Sequence, residues 1–255
     1  VDSSKNIYVA DTSNNRIMKW EPGATSGTVV AGGNGAGSAN NQFNDPIDVH
    51  VDSSGNIYVA DRYNYRVMKW EPGATSGTVV VGGNGQGSEN NQLSNSNSIY
   101  VDSSGTIYVA DSGNHRVMKW SSGVSEGTVV AGGNGSGSDL NQLKNSGGIH
   151  VDSLGNIYVA DTGNNRVMKW EPGASEGILV ISVAEANSVS APLSDVWINN
   201  NGGLYLGLHR KIDKTQLFPI ITIAAGATTG TVKFTGIDDT TDEADETIIV
   251  TPSTS

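Results

Sequence analysis

The sequence predicts an all-β protein, a β-propeller of about five four-stranded antiparallel blades. Three observations carry that expectation. The segment VDSSGNIYVAD at 51–61 recurs in near-identical form every 50 residues, starting at Val1, Val51, Val101 and Val151, and each copy runs on to RVMKW or RIMKW. Periods of about 20–50 residues mark repeat architectures in which each unit leaves an apolar face for its neighbour to cover. Each unit also holds four short runs rich in Val, Ile, Tyr and Trp, bounded by Gly, Asn, Ser and Pro, and none keeps a helical period. Finally, a flat row of such sheets would leave strand edges open, whereas radial packing protects them.

In the first complete unit the strands fall at 47–51, 57–61, 66–70 and 78–81. Asp52-Ser53-Ser54-Gly55-Asn56 has the composition of a tight hairpin turn. Glu71-Pro72-Gly73-Ala74 places a preset backbone angle before a residue that tolerates a positive one. Almost no helix is expected. Val1 and Asp2 match Val51 and Asp52, so the chain is expected to start inside a repeat of a larger protein.

An inner strand ending in VD, then G-N-I-Y-V-A-D, then x-x-N-x-R-V resembles the NHL-repeat propellers over about residues 1–180. Kelch propellers share the period and a double glycine such as Gly82-Gly83. Their Tyr and Trp beyond the glycines are missing here, and Trp70 and Trp120 lie in another strand. A fifth, degraded unit extends the propeller to about residue 215, with Val196, Trp197 and Ile198 on Ile149, His150 and Val151. The six-bladed ring usual for the family is not complete in this stretch.

Residues 216–255 change character. From Ile221 the segment resembles the second half of a Calx-β domain, a β-sandwich of extracellular proteins. The competing reading has Thr231 to Ile237 supplying the inner strand that the first blade lacks, which would close the ring. The Calx-β resemblance implies calcium at Asp238, Asp239 and Glu243, because hard carboxylate oxygens suit that ion.

With 15 basic and 26 acidic residues, the net charge of −11 repels phosphate backbones and anionic lipid, so no nucleic-acid partner is expected. The longest apolar stretch, 218–225, is too short to span a membrane, so no membrane insertion is expected either. The lack of cysteine excludes disulfides, thiolate nucleophiles and cysteine-ligated zinc.

Asp61, Asn64 and Arg66 recur in every copy, which marks them as architectural: Asp accepts backbone N–H bonds and Arg pairs with a carboxylate. The loops Gly32 to Ser38, Gly82 to Ser88 and Gly132 to Ser138 read as turns. A phosphate cradle would need a following helix, and none is expected.

The copies disagree at one turn. Thr12/Ser13/Asn15 becomes Arg62/Tyr63/Tyr65, then Ser112/Gly113/His115, then Thr162/Gly163/Asn165. Such loops are where recognition residues collect. Arg62, Tyr63, Tyr65 and His115 are therefore the candidate ligand-binding residues, and no catalytic residue is assigned.

His50, Tyr100, His150 and Trp197 share one inner-strand position, either lining a channel or packing between blades. Two of these are histidines, which raises zinc, since neutral imidazole is a common zinc ligand. The resembled family includes an amidating lyase whose zinc histidines directly follow the Pro at the inner-strand entrance. Here Ile47, Asn97 and Gly147 stand there, so those ligands do not carry over. The favoured function is a non-catalytic extracellular or cell-surface module that recognises a protein or carbohydrate ligand on the propeller rim. The alternatives are a metal-dependent propeller hydrolase or lyase, and a structural spacer of a large adhesin.

Overall fold

A computed structural model describes residues 1–183, 193–199 and 203–208, together with strand backbone at 220–223, 230–233 and 247–252. The chain forms two compact units, Val1–Gly133 and Asn134–Ser255.

The first unit holds three antiparallel sheets. Strands β1 (Ile7–Asp11), β2 (Arg16–Trp20) and β3 (Thr28–Gly32) form the first. The second is β4 (Pro46–Val51), β5 (Ile57–Asp61), β6 (Arg66–Trp70) and β7 (Thr78–Gly82), and the third is β8 (Ser96–Val101), β9 (Ile107–Asp111), β10 (Arg116–Trp120) and β11 (Thr128–Gly132). Each four-stranded sheet pairs its strands in chain order, so the observed strands match the expected ones to within a residue.

The hairpin between the first two strands is held by its aspartate. Asp52 Oδ1 accepts from the Ser54 and Asn56 N–H groups, and Oδ2 accepts from Asn56 Nδ2 at 2.7 Å. These bonds outweigh its partial desolvation and hold the carboxyl below its usual range. Glycine is required at Gly77, where a Cβ would overlap the ring of the buried Trp70.

Alternation along the strands gives each sheet two apolar faces. Tyr58, Ala60, Val67, Val81 and Leu93 of the second repeat pack on Ile99, Val101, Ile107, Val109, Met118 and Trp120 of the third. Ile17, Ala31 and Phe43 of the first pack in the same sense on Ile57, Val59, Met68 and Trp70 of the second. Within this unit the first and second sheets thus each send a trailing face against the leading face of the next. Each aliphatic side chain so buried contributes about 1.5–3 kcal/mol.

In the second compact unit, β12 (Ile149–Val151), β13 (Ile157–Asp161), β14 (Arg166–Trp170) and β15 (Ile178–Val183) repeat the pattern. Strands β16 (Leu193–Ile198), β17 (Leu204–Leu208) and β18 (Ile220–Ile223) form another sheet, with Val196, Leu204 and Leu206 packed on Ala160, Val167 and Ile181. Strand β20 (Thr247–Pro252) pairs with the outer edge of β15 and with β19 (Gly230–Lys233).

The turn after each second strand is more ordered than a simple hairpin. A single 3-10 turn at Thr12–Asn14, Arg62–Asn64, Ser112–Asn114 and Thr162–Asn164 ends on a left-handed residue at Asn15, Tyr65, His115 and Asn165. Among the described residues these turns are the only helical pieces.

Candidate functional site

The recurring Asp, Asn and Arg join adjacent blades. Asp61 Oδ1 accepts the Asn44 N–H at 2.7 Å, while Oδ2 accepts from Asn64 at 2.8 Å and Arg66 Nε at 2.7 Å. Arg66 then reaches the carbonyls of Ser38, Ala39 and Gln42, and Asn64 reaches that of Gly37, all in the Gly-rich segment that leaves the preceding blade. Arg116 and Asn114 do the same with residues 87–92, and Arg166 and Asn164 with residues 137–142. Burial pushes the Asp61 and Asp111 carboxyls up, against the hydrogen bonds that favour their ionised forms.

On this framework sits the turn where the copies differ. Arg62 Nε donates to Asp45 Oδ2 at 2.6 Å, its Nη2 pairs with the same carboxylate, and its guanidinium carbon lies 5.0 Å from the centre of the Tyr63 ring. Tyr63 is 49% exposed, so an aromatic face backed by a cation is presented to solvent. Tyr65 turns the other way: it is half-buried and packs against the core between the second and third blades. Its φ of 52° is left-handed, a conformation that Asn tolerates and a bulky side chain adopts at a cost. His115 holds the same left-handed position one blade on, at φ 54°. The structure thus brings Arg62 and Tyr63 into one platform, places Tyr65 beneath it and sets His115 in the matching turn of the next blade.

In the first blade the left-handed residue is Asn15, whose Oδ1 accepts the Asp45 N–H at 2.9 Å. Tyr65 has no side-chain amide to play that part.

Sequence reasoning missed Asp48. It lies on β4 at a register shift, and its Oδ2 accepts from Ser98 Oγ and from the Ile99 N–H of the next blade, both at 2.9 Å. Surrounding protein desolvates the carboxylate and pushes its pKa up, against hydrogen bonds from Ile99, Ser98 and Val49. The equivalent residues are Ser98, Gly148 and Asp195. An acidic residue inside an otherwise apolar inner strand was the available signal.

The inner-strand aromatics contact one another from blade to blade. His50 meets Tyr100 edge-on at 5.5 Å, and His150 meets Trp197 at 6.1 Å. Desolvation lowers the His150 pKa and so favours neutral imidazole, while the nearby Asp152 carboxylate acts in the opposite direction. Among the described residues, no three His, Asp or Glu side chains are grouped closely enough to share a metal ion. Asp238, Asp239 and Glu243 lie outside the described residues. No helix among the described residues is long and apolar enough to cross a membrane.

The NHL repeat model matches residues 43–70, 97–120 and 147–170, so the chain carries three NHL repeats. No curated protein sequence matches. Among solved structures, a nidogen/laminin complex is similar with a TM-score of 0.61 and 16% identity, over 81% of this chain and 69% of that one. A streptogramin B lyase is similar with a TM-score of 0.52 and 12% identity, over 89% of this chain and 67% of that one. These are propeller proteins, and at such identities the likeness shows the fold alone. The chain is an all-β propeller protein built from four-stranded antiparallel blades.

Proposed function

We propose that this chain is a non-catalytic binding module that captures a protein ligand through Arg62, Tyr63, Tyr65 and His115. One observation carries the reading: among nearly identical blades, only the second sets an exposed Tyr on an Arg and holds a second Tyr in a costly left-handed turn. A bulky aromatic kept in a left-handed position that the first and fourth copies fill with Asn points to selection for something other than stability. The likeness to a nidogen/laminin complex supports a protein ligand and an extracellular or cell-surface setting. A carbohydrate is the second ligand class, because aromatic faces also stack on sugars.

Protein and glycan arrays probed with the chain test this, with Tyr63→Ala/Tyr65→Asn as the control variant. Loss of the signal in the variant, with the circular dichroism spectrum unchanged, is the expected result. Equal binding by both chains would remove the site.

The likeness to a streptogramin B lyase favours a second reading, a metal-dependent propeller hydrolase or lyase. A stoichiometric transition metal in the purified protein would move that reading ahead of the first. The Asp238, Asp239 and Glu243 carboxylates are proposed as a calcium site. Titration calorimetry of the apo chain with calcium tests that, and a flat trace would dismiss it.

A further inference from the structure

We infer that the outer edge of the fourth blade is a strand-acceptor site: it binds extended, β-branched peptide by backbone pairing, and Thr247–Pro252 of this chain is its resident occupant. The first three blades end their outer strands at a glycine pair. Gly32-Gly33, Gly82-Gly83 and Gly132-Gly133 have φ between 66° and 83°, and the N–H of the second glycine returns to the carbonyl of Asn15, Tyr65 or His115. Backbone in that left-handed region does not continue a ladder, so these edges turn away after five residues.

The fourth copy has Ser182-Val183 in place of the glycines. A side chain does not fit the glycine turn, because a Cβ on Gly32 would lie 2.6 Å from the Asn15 carbonyl oxygen. Neither Ser182 nor Val183 has a positive φ, and β15 runs straight on through Val183. The replaced positions are the ones that pair outward. Ser182 lies opposite Thr251 and Val183 opposite Val250, with Ile181 opposite Pro252. The fourth blade thereby grows to a six-stranded sheet, whereas those of the second and third copies keep four strands.

The start of the same strand has changed in the same direction. Thr28, Thr78 and Thr128 become Ile178, which is 51% exposed, and Asn40 and Asn90 become Leu140, which is 48% exposed. The Leu140 carbonyl accepts the Gly177 N–H at 2.8 Å, which sets this residue beside the start of β15. An apolar border on a straightened edge suits a ligand that brings β-branched side chains and open backbone groups together, as Thr247-Ile248-Ile249-Val250-Thr251 does. A helix or a sugar would leave the edge N–H and C=O groups unpaired.

Amide exchange of the full chain reads the resident contact. Restoring the glycines with Ser182→Gly/Val183→Gly should speed exchange at residues 248, 249 and 251 at least about 10-fold, while β5, β6 and β9 keep their protection. Unchanged protection at 248, 249 and 251 would overturn the proposal. A second measurement uses a fluorescein-labelled peptide of residues 245–255 and the full chain carrying Val250→Pro, whose own segment is barred from the ladder. In the parent the tethered segment competes at an effective concentration of roughly millimolar, so the Val250→Pro chain should bind the peptide at least about 10-fold more tightly. Adding Ser182→Gly/Val183→Gly to that chain should abolish the anisotropy change. Equal binding to all three chains would mean non-specific adhesion and overturn the site. So would a Val250→Pro chain that exchanges freely at 248, 249 and 251, keeps its blades protected and binds no peptide. The exchange comparison on the glycine variant decides the matter even where Val250→Pro fails to fold.

Discussion

Asp11, Asn14 and Arg16 of the first blade and Asp61, Asn64 and Arg66 of the second are the same residues in the same pairings, although Asn14 donates to Oδ1 of its aspartate and Asn64 to Oδ2, and their environments are opposite. In the second blade the aspartate is fully buried, and burial pushes its carboxyl up. In the first, hydrogen bonds from Arg16 and then Asn14 hold the Asp11 carboxyl down, with little desolvation to oppose them. Identical sequence therefore does not mean identical energetics in a repeat. What differs is the covering loop, whose carbonyls turn an exposed ion pair into a buried joint between blades.

The strongest way to break this comparison is at the arginines. Arg66→Ala strands the buried Asp61 charge and should cost about 3–5 kcal/mol, whereas Arg16→Ala should cost about 0–1 kcal/mol. Urea denaturation of both variants checks this, and equal losses would mean that the loop carbonyls contribute nothing. Next come the apolar faces: Ile57→Ala should cost about 2–5 kcal/mol and Ile7→Ala less than about 0.5 kcal/mol. The same unfolding measurement decides it.

A smaller effect sharpens the contrast at the left-handed turns. Asn15→Ala loses both its left-handed tolerance and its bond to the Asp45 N–H, so about 2 kcal/mol is expected by thermal unfolding. The buried Oδ1 of Asn165 has no hydrogen-bond partner, so Asn165→Ala should cost only about 1 kcal/mol. A larger loss at Asn165 would contradict the capping role.

The last test concerns Asp48, whose counterparts are Ser98, Gly148 and Asp195. Its folded pKa is raised, so its ionised form weighs against the fold once the pH exceeds the unfolded value. The stability of Asp48→Asn relative to the parent should therefore rise as the pH is raised through and above the unfolded carboxylate value of about 4. A flat difference would show that Asp48 is not desolvated.

Much of the fold was legible because its signals are local. Alternation in IYVAD and RVMKW, with Gly and Pro punctuation, sets strands whose ends match the pairing seen. The architectural role of Asp61, Asn64 and Arg66 followed from their recurrence, and the odd turn at Arg62 to Tyr65 stood out against its copies. The partners were not legible. Nothing in the order of residues says that Arg66 would find Ser38, Ala39 and Gln42, or that Asp48 would reach Ser98 and Ile99 across a blade boundary. Nor did it announce that Tyr63 faces out while Tyr65, two residues away, turns into the core.

By itself, then, the sequence determined the repeating sheet, its strand order and its turn chemistry, because those depend on period, propensity and glycine placement within a few residues. Only the tertiary structure decided which copies are buried, which carboxyls rise or fall in pKa, and which aromatic meets solvent. Those properties depend on what another blade brings to within a few ångströms, and burial rather than residue identity sets the cost of a charge.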